Sequence, residues 1–240
     1  MDIDFLASTF RQLLAAVPTT IGLFVISVSS GAVLAVVLAW MRVSGNVVLD
    51  RIARAYVLVF RGSPLLIQMF LVYYGLGQFG VIRNSLVWPV LRDPFSCATL
   101  SLALCTAGYA AEIFRGGVLG VPGPQIEAAR ACGMSGFLLV RRIIAPIALR
   151  QALPAYSTEV VLMLKATALA SLVTVWEVTG VAQRIISHTY RTMEVFLCAA
   201  AIYLVLNFII VRLMGWLEYR LSPHLRAMPQ RARPRPGMVG

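Results

Sequence analysis

Uncharged stretches of membrane-spanning length dominate this chain of 240 residues. No Asp, Glu, Lys or Arg occurs in residues 12–41, 62–82, 94–111 and 195–211, and a fifth apolar stretch, 156–182, contains three charged residues. Roughly 20 apolar residues cross the hydrocarbon layer of a membrane as a helix. The pattern predicts an all-α membrane protein with about five transmembrane helices, at about residues 19–41, 58–80, 96–117, 156–182 and 195–217.

The positive charges lie mostly on one side of this predicted membrane domain. Fourteen arginines follow the first, third and fifth spans, whereas five precede the first span or follow the second and fourth. Loops rich in Lys and Arg stay in the cytoplasm, so the bias predicts an outer N-terminal segment, residues 1–18, and a cytoplasmic C-terminus. It also explains the net charge of +11 without a nucleic-acid partner. The basic tail, residues 220–240, is expected to be disordered and to lie near membrane lipid.

Charged side chains inside the predicted spans each cost about 2.5–3.5 kcal/mol unless they find a partner or water, and Glu112, Glu159, Lys165 and Glu177 are the ones considered for a role there. Glu112 has Arg115 three residues later, and an ion pair between them is the favoured interpretation. Glu177 lies near the outer interface beside Trp176, where we expect it to be solvated.

Glu159 and Lys165 cannot neutralise each other on a straight helix. Six residues of helix separate their directions by about 120°. Glu159 is therefore predicted to bind an amine or guanidinium group of a substrate. A tie to another helix is an equally good interpretation of the same carboxylate.

The sequence FRGSPL, residues 60–65, interrupts the second span near its inner end. Pro64 is suited to begin a new helical segment, with Ser63 as its N-cap. Arg61 and Gly62 then end the preceding segment. Two interpretations stay open: an ordinary helix start with a snorkelling arginine, or an offset in a helix that lines a gated path.

A polar loop, residues about 118–150, separates the third and fourth spans on the basic side. A Gly-Pro pair at Gly123 predicts a short helix, Glu127 lies in its first turn, and Gly133 ends it. Alanines at 128 and 129 allow another backbone to come close. The loop is predicted to transmit motion to a soluble partner.

A second short helix is predicted after this one. Ser135 is placed to cap it, and Pro146 is expected to end it.

Several kinds of chemistry lack a motif in the chain. There is no phosphate-binding G-x-x-x-x-G-K-[ST] loop, so any ATP must bind to another chain. No nucleophile and base, metal-ligand cluster or cysteine pairing is evident, and the four cysteines are interpreted as small apolar residues. We therefore predict a protein that is not an enzyme and has no catalytic or metal site.

The loop sequence EAARACGMSGFLLVRRIIAP, residues 127–146, resembles the E-A-A-x-x-x-G-x9-I-x-L-P signature of permease subunits of bacterial ATP-binding-cassette (ABC) importers. Ala145 replaces the leucine of that signature. FRGSPL, AEIFRGGVLGVPGPQIEAAR and LPAYSTEVVLMLKATALA are similar to motifs of polar amino-acid permeases, and the histidine, lysine/arginine/ornithine and opine permeases are the most similar group. The resemblance covers about residues 19–219.

This resemblance implies a type I ABC importer permease fold in the bacterial inner membrane, with residues 19–219 as the permease domain. It implies an ATP-binding subunit in two copies that carries ATP and Mg²⁺, a second homologous permease, a periplasmic solute-binding protein, and no cofactor on this chain. The short helix between spans three and four becomes a coupling helix that docks on the ATPase through Glu127, Ala128, Ala129, Arg130 and Gly133.

The resemblance also implies a path for a cationic or polar amino acid or an opine. Its expected residues are Thr106, Tyr109, Thr158, Glu159 and Lys165, with Arg61, Gly62, Ser63 and Pro64 at a gate or helix offset. Thr158 stands where the family usually has Asn, and Cys105 replaces another such Asn. A self-contained ion-coupled secondary transporter or channel is the alternative, although no inverted repeat is evident.

Overall fold

A computed structural model describes residues 3–221, which form helices and connecting turns without strands. The α-helices are α1 (Ile3–Val43), α2 (Val47–Gly62), α3 (Leu65–Phe70), α4 (Gly80–Arg83), α5 (Trp88–Leu91), α6 (Pro94–Leu119), α7 (Gly123–Ala131), α8 (Gly136–Leu139), α9 (Ala145–Ala166), α10 (Val178–Thr189) and α11 (Thr192–Leu221). Wide π-helical turns at Leu71–Gly75 and Val140–Ile144 and tighter 3₁₀ segments at Leu76–Gln78 and Thr167–Val173 extend three of them. The predicted tail falls largely beyond Leu221, outside the described residues.

The prediction of about five spans is confirmed. Four segments of the described chain are long and apolar enough to cross a membrane: Ile3–Val43, Pro94–Leu119, Gly136–Val173 and Thr192–Leu221. A fifth span results if Val47–Gly62 and Leu65–Gln78, which meet at a bend of 103°, count as one.

Several predicted span boundaries change. The second candidate span begins at Val47 and not near residue 58, and the fourth begins at Gly136 and not near residue 156. The first helix begins at Ile3, well before residue 19, and Pro18 lies within it. The fourth span ends at Val173, because Thr174 adopts a left-handed conformation with φ of 65° and α10 then begins as a separate helix. Residues 174–182, predicted as part of that span, are therefore a turn and the start of α10.

α6 lies at the centre of the bundle and packs against α1, α2, α3 and α9. Its buried positions are mostly small residues, among them Ala98, Ala103, Ala107 and Ala111. Small side chains let neighbouring backbones approach closely, which is the main source of helix packing energy in lipid. The central position of α6 brings its polar residues between α1 and α9.

Glu177 is buried, contrary to the prediction that it is solvated. It is 0% exposed and caps α10, accepting a hydrogen bond from the Gly180 N–H over 2.7 Å. The Tyr203 hydroxyl on α11 donates to its other oxygen over 2.6 Å. A carboxylate is favourable at a helix N-terminus, and these donors compensate for the lost water.

The end of the bundle that carries α7, hereafter the α7 end, is tied by ion pairs. Glu112 contacts Arg115 at 2.8 Å, as predicted, and also Arg42 of α1 at 2.8 Å. Arg42 lies 2.9 Å from Asp50, which in turn lies 2.8 Å from Arg54 on α2. This chain of charges joins α1, α2 and α6 in one unit.

Pro146 does not end a helix, contrary to the prediction. The run of helix continues from Gly136 through the π-helical turn Val140–Ile144 into α9, and Pro146 lies in the first turn of α9. The π-helical turn shifts the hydrogen bonds by one residue, with the Ala145 N–H bonded to the Val140 carbonyl. A proline, which has no N–H to donate, is tolerated at that position. Ser135 holds the predicted N-cap position without a side-chain cap bond.

Candidate functional site

A buried carboxylate lies between α6 and α9, halfway along α6. Glu159 on α9 is 9% exposed and Thr106 on α6 is 2% exposed. The Thr106 hydroxyl donates to Glu159 Oε1 over 3.0 Å. Glu159 Oε2 has no hydrogen-bond partner among residues 3–221 and is not fully enclosed. An open, negatively charged oxygen in an apolar setting attracts a cation strongly.

The last turn of α2 brings a cation to the same region. Arg61 Cζ lies 5.0 Å from the centre of the Tyr109 ring, where the guanidinium is attracted to the ring face. Arg61 and Glu159 both lie against α6, the first at Tyr109 and the second at Thr106, yet they form no ion pair in the described part of the chain. Separated charges of opposite sign can bind the two ends of a zwitterion.

Two other predicted path residues lie on a different face of α9. Thr158 and Lys165 are exposed and seven residues apart, so they point in nearly the same direction, with Leu162 between them. Glu159 points about 100° away from Thr158. The structure thus brings Thr106, Tyr109 and Glu159 together with Arg61, and leaves Thr158 and Lys165 on an adjoining face, hereafter the α9 open face.

The predicted helix offset in FRGSPL is a sharp elbow. Ser63 is the C-cap of α2 and donates through its hydroxyl to the Val59 carbonyl, so it does not cap α3 as predicted. Pro64 itself takes the N-cap position of α3, so that this helix begins at Leu65, one residue later than predicted, and Gly62 is the last residue of α2. The buried Gln68 amide donates to the Phe60 and Ser63 carbonyls at 2.9 and 3.0 Å. These bonds hold the elbow bent and fix the last turn of α2.

The predicted coupling helix is α7, Gly123–Ala131. Glu127, Ala128 and Arg130 are exposed on it, whereas Ala129 is 6% exposed. Gly133 has φ of +80°, and the Met134 N–H beyond it bonds back to the Ala129 carbonyl over 3.0 Å. This is how a glycine in the left-handed conformation ends a helix.

Close contacts join the segments on either side of α7. A Cβ atom on Gly117 of α6 would lie 2.5 Å from the Ala148 carbonyl oxygen of α9, so the two backbones touch there. The Gln151 amide of α9 donates to the Gly120 carbonyl over 2.9 Å. These contacts tie α6 to α9 on either side of α7, and the same two helices hold the members of the Thr106–Glu159 hydrogen bond.

Comparison with known proteins identifies the family and the fold of this chain. Residues 31–223 match the family described as binding-protein-dependent transport system inner membrane component. The chain belongs to this family. The octopine transport system permease protein of Rhizobium radiobacter is 55% identical over 225 residues, which cover 94% of this chain and 92% of that protein. The nopaline transport system permease protein of Agrobacterium fabrum is 53% identical over 228 residues, covering 95% of each.

A solved structure also resembles this permease. The crystal structure of an amino acid ABC transporter with histidines matches with a TM-score of 0.81 and 32% identity, over 92% of this chain and 99% of that one. The permease has the type I importer fold and is a multi-pass inner-membrane component of an ABC importer. It is not the ATPase, which is a separate subunit, and the family depends on a binding protein. The alternative of a self-contained transporter or channel is thereby excluded.

Three features of this permease escaped the sequence analysis. Gln68 carried a weak signal, since it is a polar residue inside an uncharged stretch. The contact of Arg42 with Glu112 carried none, because 70 residues separate the partners. The burial of Glu177 carried none either, because its partner Tyr203 is 26 residues away in the sequence.

Proposed function

We propose that this permease passes a guanidinium-bearing substrate, a cationic amino acid or an arginine-derived opine, along Glu159 into the cytoplasm. The observation that carries the proposal is the open Oε2 of Glu159 beside Thr106 and Arg61. Octopine and nopaline each contain a guanidinium group and at least two carboxylates. Glu159 is suited to the guanidinium and Arg61 to a carboxylate.

ATP hydrolysis on a partner drives this movement. Two copies of the ATP-binding subunit hold ATP and Mg²⁺, and α7 docks on one of them through Glu127, Ala128, Ala129 and Arg130, with Gly133 fixing the end of the helix. The exposure of three of these side chains supports a docking role. The contacts of α6 with α9 beside α7 support transmission of ATPase motion to Glu159.

A second homologous permease covers the α9 open face. Lys165 has no ion-pair partner in the part of the chain that the structure describes, and it lies near the end of α9 in a membrane-spanning segment. A lysine facing lipid at this depth would be unfavourable by about 2.5–3.5 kcal/mol. Water or substrate between two permeases removes that penalty, and Thr158 then also lines the path.

The N-terminus lies in the periplasm, and the α7 end and the C-terminus lie in the cytoplasm. The arginine bias supports this orientation, as does the role of α7. The permease domain comprises residues 19–219, and the part of α1 before residue 19 is the outer segment. The solute-binding protein delivers substrate to the end opposite α7.

Substrate uptake by a transporter that contains the Glu159→Gln permease tests the proposal. The complete transporter, with its ATPase, second permease and binding protein, is reconstituted in proteoliposomes and supplied with radiolabelled arginine or octopine. Removing the charge from the carboxylate should raise the KM for these probes about tenfold or more, because charge-assisted hydrogen bonds are the strong ones. Neutral citrulline should compete better in the variant than in the wild type.

Glu194→Gln is the matched control, since Glu194 lies 4.0 Å from Arg191 at the far end of the bundle and should leave uptake unchanged. Arginine and octopine uptake that is equal in Glu159→Gln and the control, at equal amounts of complex, would remove Glu159 from the substrate path.

A further inference from the structure

Gly31 marks the closest approach of α1 to α6. A Cβ atom on Gly31 would overlap the Thr106 methyl group and lie 2.9 Å from the Ala103 carbonyl oxygen. One turn earlier, the Ser27 hydroxyl donates to the Thr99 carbonyl over 3.2 Å and fixes the register of the two helices. Only glycine fits at position 31 without moving α6 or the Thr106 side chain.

Thr106 uses its two branches in different directions. Its methyl group fills the space above Gly31, while its hydroxyl donates to Glu159. A threonine in a helix has two accessible side-chain rotamers, and one of them turns the hydroxyl back to a carbonyl of the preceding turn. The space above Gly31 accommodates the methyl group in the rotamer that reaches Glu159.

We infer that Gly31 is a positioning residue that sets substrate selection at Glu159 through Thr106, without touching the substrate. The inference rests on the proposed function, because it assumes that Glu159 binds the guanidinium group. The hydrogen bond from Thr106 holds one carboxylate oxygen and leaves the other without a partner among the described residues. Rotation of Thr106 releases the carboxylate and weakens guanidinium recognition, whereas the α7 coupling machinery stays intact.

The central test is a double-variant cycle in the reconstituted transporter. Gly31→Ala should raise the KM for arginine and octopine about tenfold with little change in maximal rate, as expected for the loss of a hydrogen bond to a charged group. Thr106→Ser keeps the hydroxyl but lacks the overlapping methyl group. Adding Thr106→Ser to Gly31→Ala should therefore bring KM back close to that of Thr106→Ser alone, which would place the effect at the contact between positions 31 and 106.

Gly22→Ala is the matched control on the same helix. Its Cβ atom would lie 3.6 Å from the Phe95 ring, an ordinary contact, so KM should be unchanged. If the Gly31→Ala complex does not assemble, the double variant is compared with Thr106→Ser by itself, because it lacks the overlap with the Thr106 methyl group. A KM for the double variant far above that of Thr106→Ser, at equal thermal stability, would overturn the inference.

Measurements in a Glu159→Gln background distinguish a failure of the proposed function from a failure of the positioning role of Gly31. If Gly31 acts through Glu159, Gly31→Ala should add nothing to the KM in that background, and an additive rise contradicts the inference. An unchanged KM in Glu159→Gln alone means that the proposed function has failed. A raised KM in Glu159→Gln with a normal KM in Gly31→Ala means that only the positioning role has failed.

Discussion

Individual acidic residues in this permease have different roles that depend on their surroundings. Glu159 keeps an open oxygen, Glu112 is held by two arginines, and Glu177 is enclosed by donors from α10 and α11. All three lie in or near apolar stretches of sequence. Burial and the number of donors separate a binding carboxylate from a structural one.

Glu177→Gln should destabilise the permease without altering substrate selection. The amide oxygen can still accept from the Gly180 N–H, but the amide nitrogen cannot accept from the Tyr203 hydroxyl. One hydrogen bond to a charged group is lost, which we expect to reduce the free energy of unfolding by about 1–3 kcal/mol.

Thermal denaturation of the purified complex in detergent measures this effect of Glu177→Gln. Glu194→Gln is the comparison, because its loose contact with Arg191 is expected to contribute about 0–1 kcal/mol. Equal melting temperatures for the two variants would support the sequence-based expectation of a solvated Glu177 and contradict the buried cap.

At the scale of helices, apolar run length predicted which elements exist, while their ends depended on local chemistry and distant partners. The glycine end of α7 was predictable because a left-handed glycine is a local feature. The continuation of the helix past Pro146 was not predictable, since the π-helical turn before it has no recognised sequence pattern. Path residues were predicted on α6 and α9, but the role of Gly31 became visible only through packing, and Gln68 gave only a weak signal in the sequence.

The end of α7 should tolerate asparagine and not valine at position 133. Asparagine adopts the left-handed conformation more readily than other side chains, whereas a β-branched residue is strongly disfavoured there. We therefore expect Gly133→Asn to retain most of the stimulation of ATPase activity by loaded binding protein. Gly133→Val should lose most of it.

Both Gly133 variants must first be shown to assemble with the ATPase, by co-purification in equal amounts. Cys132→Ser, an exposed change one residue earlier, should behave as wild type. Full stimulation in an assembled Gly133→Val complex would contradict the assignment of α7 as the coupling element.

The permease as a whole presents two kinds of membrane-depth surface. α11 has exposed apolar side chains such as Leu204, which suit contact with lipid. The α9 open face combines Leu162 with the polar Thr158 and with Lys165, which has no ion-pair partner among residues 3–221. One face of the bundle therefore suits contact with lipid less well than the other.

Spin labels on the two faces should report different surroundings in the assembled transporter. Leu162 and Leu204 are 54% and 71% exposed in the isolated chain, so Leu162→Cys and Leu204→Cys make a matched pair on a background without Cys132 and Cys198. In liposomes we expect oxygen, which concentrates in lipid, to relax the label at 204 strongly and the label at 162 weakly. A water-soluble nickel complex should show the reverse order if α9 lines an aqueous path between two permeases. Equal oxygen access at both positions would mean that α9 faces lipid, and Lys165 would then need a partner that a second permease does not provide.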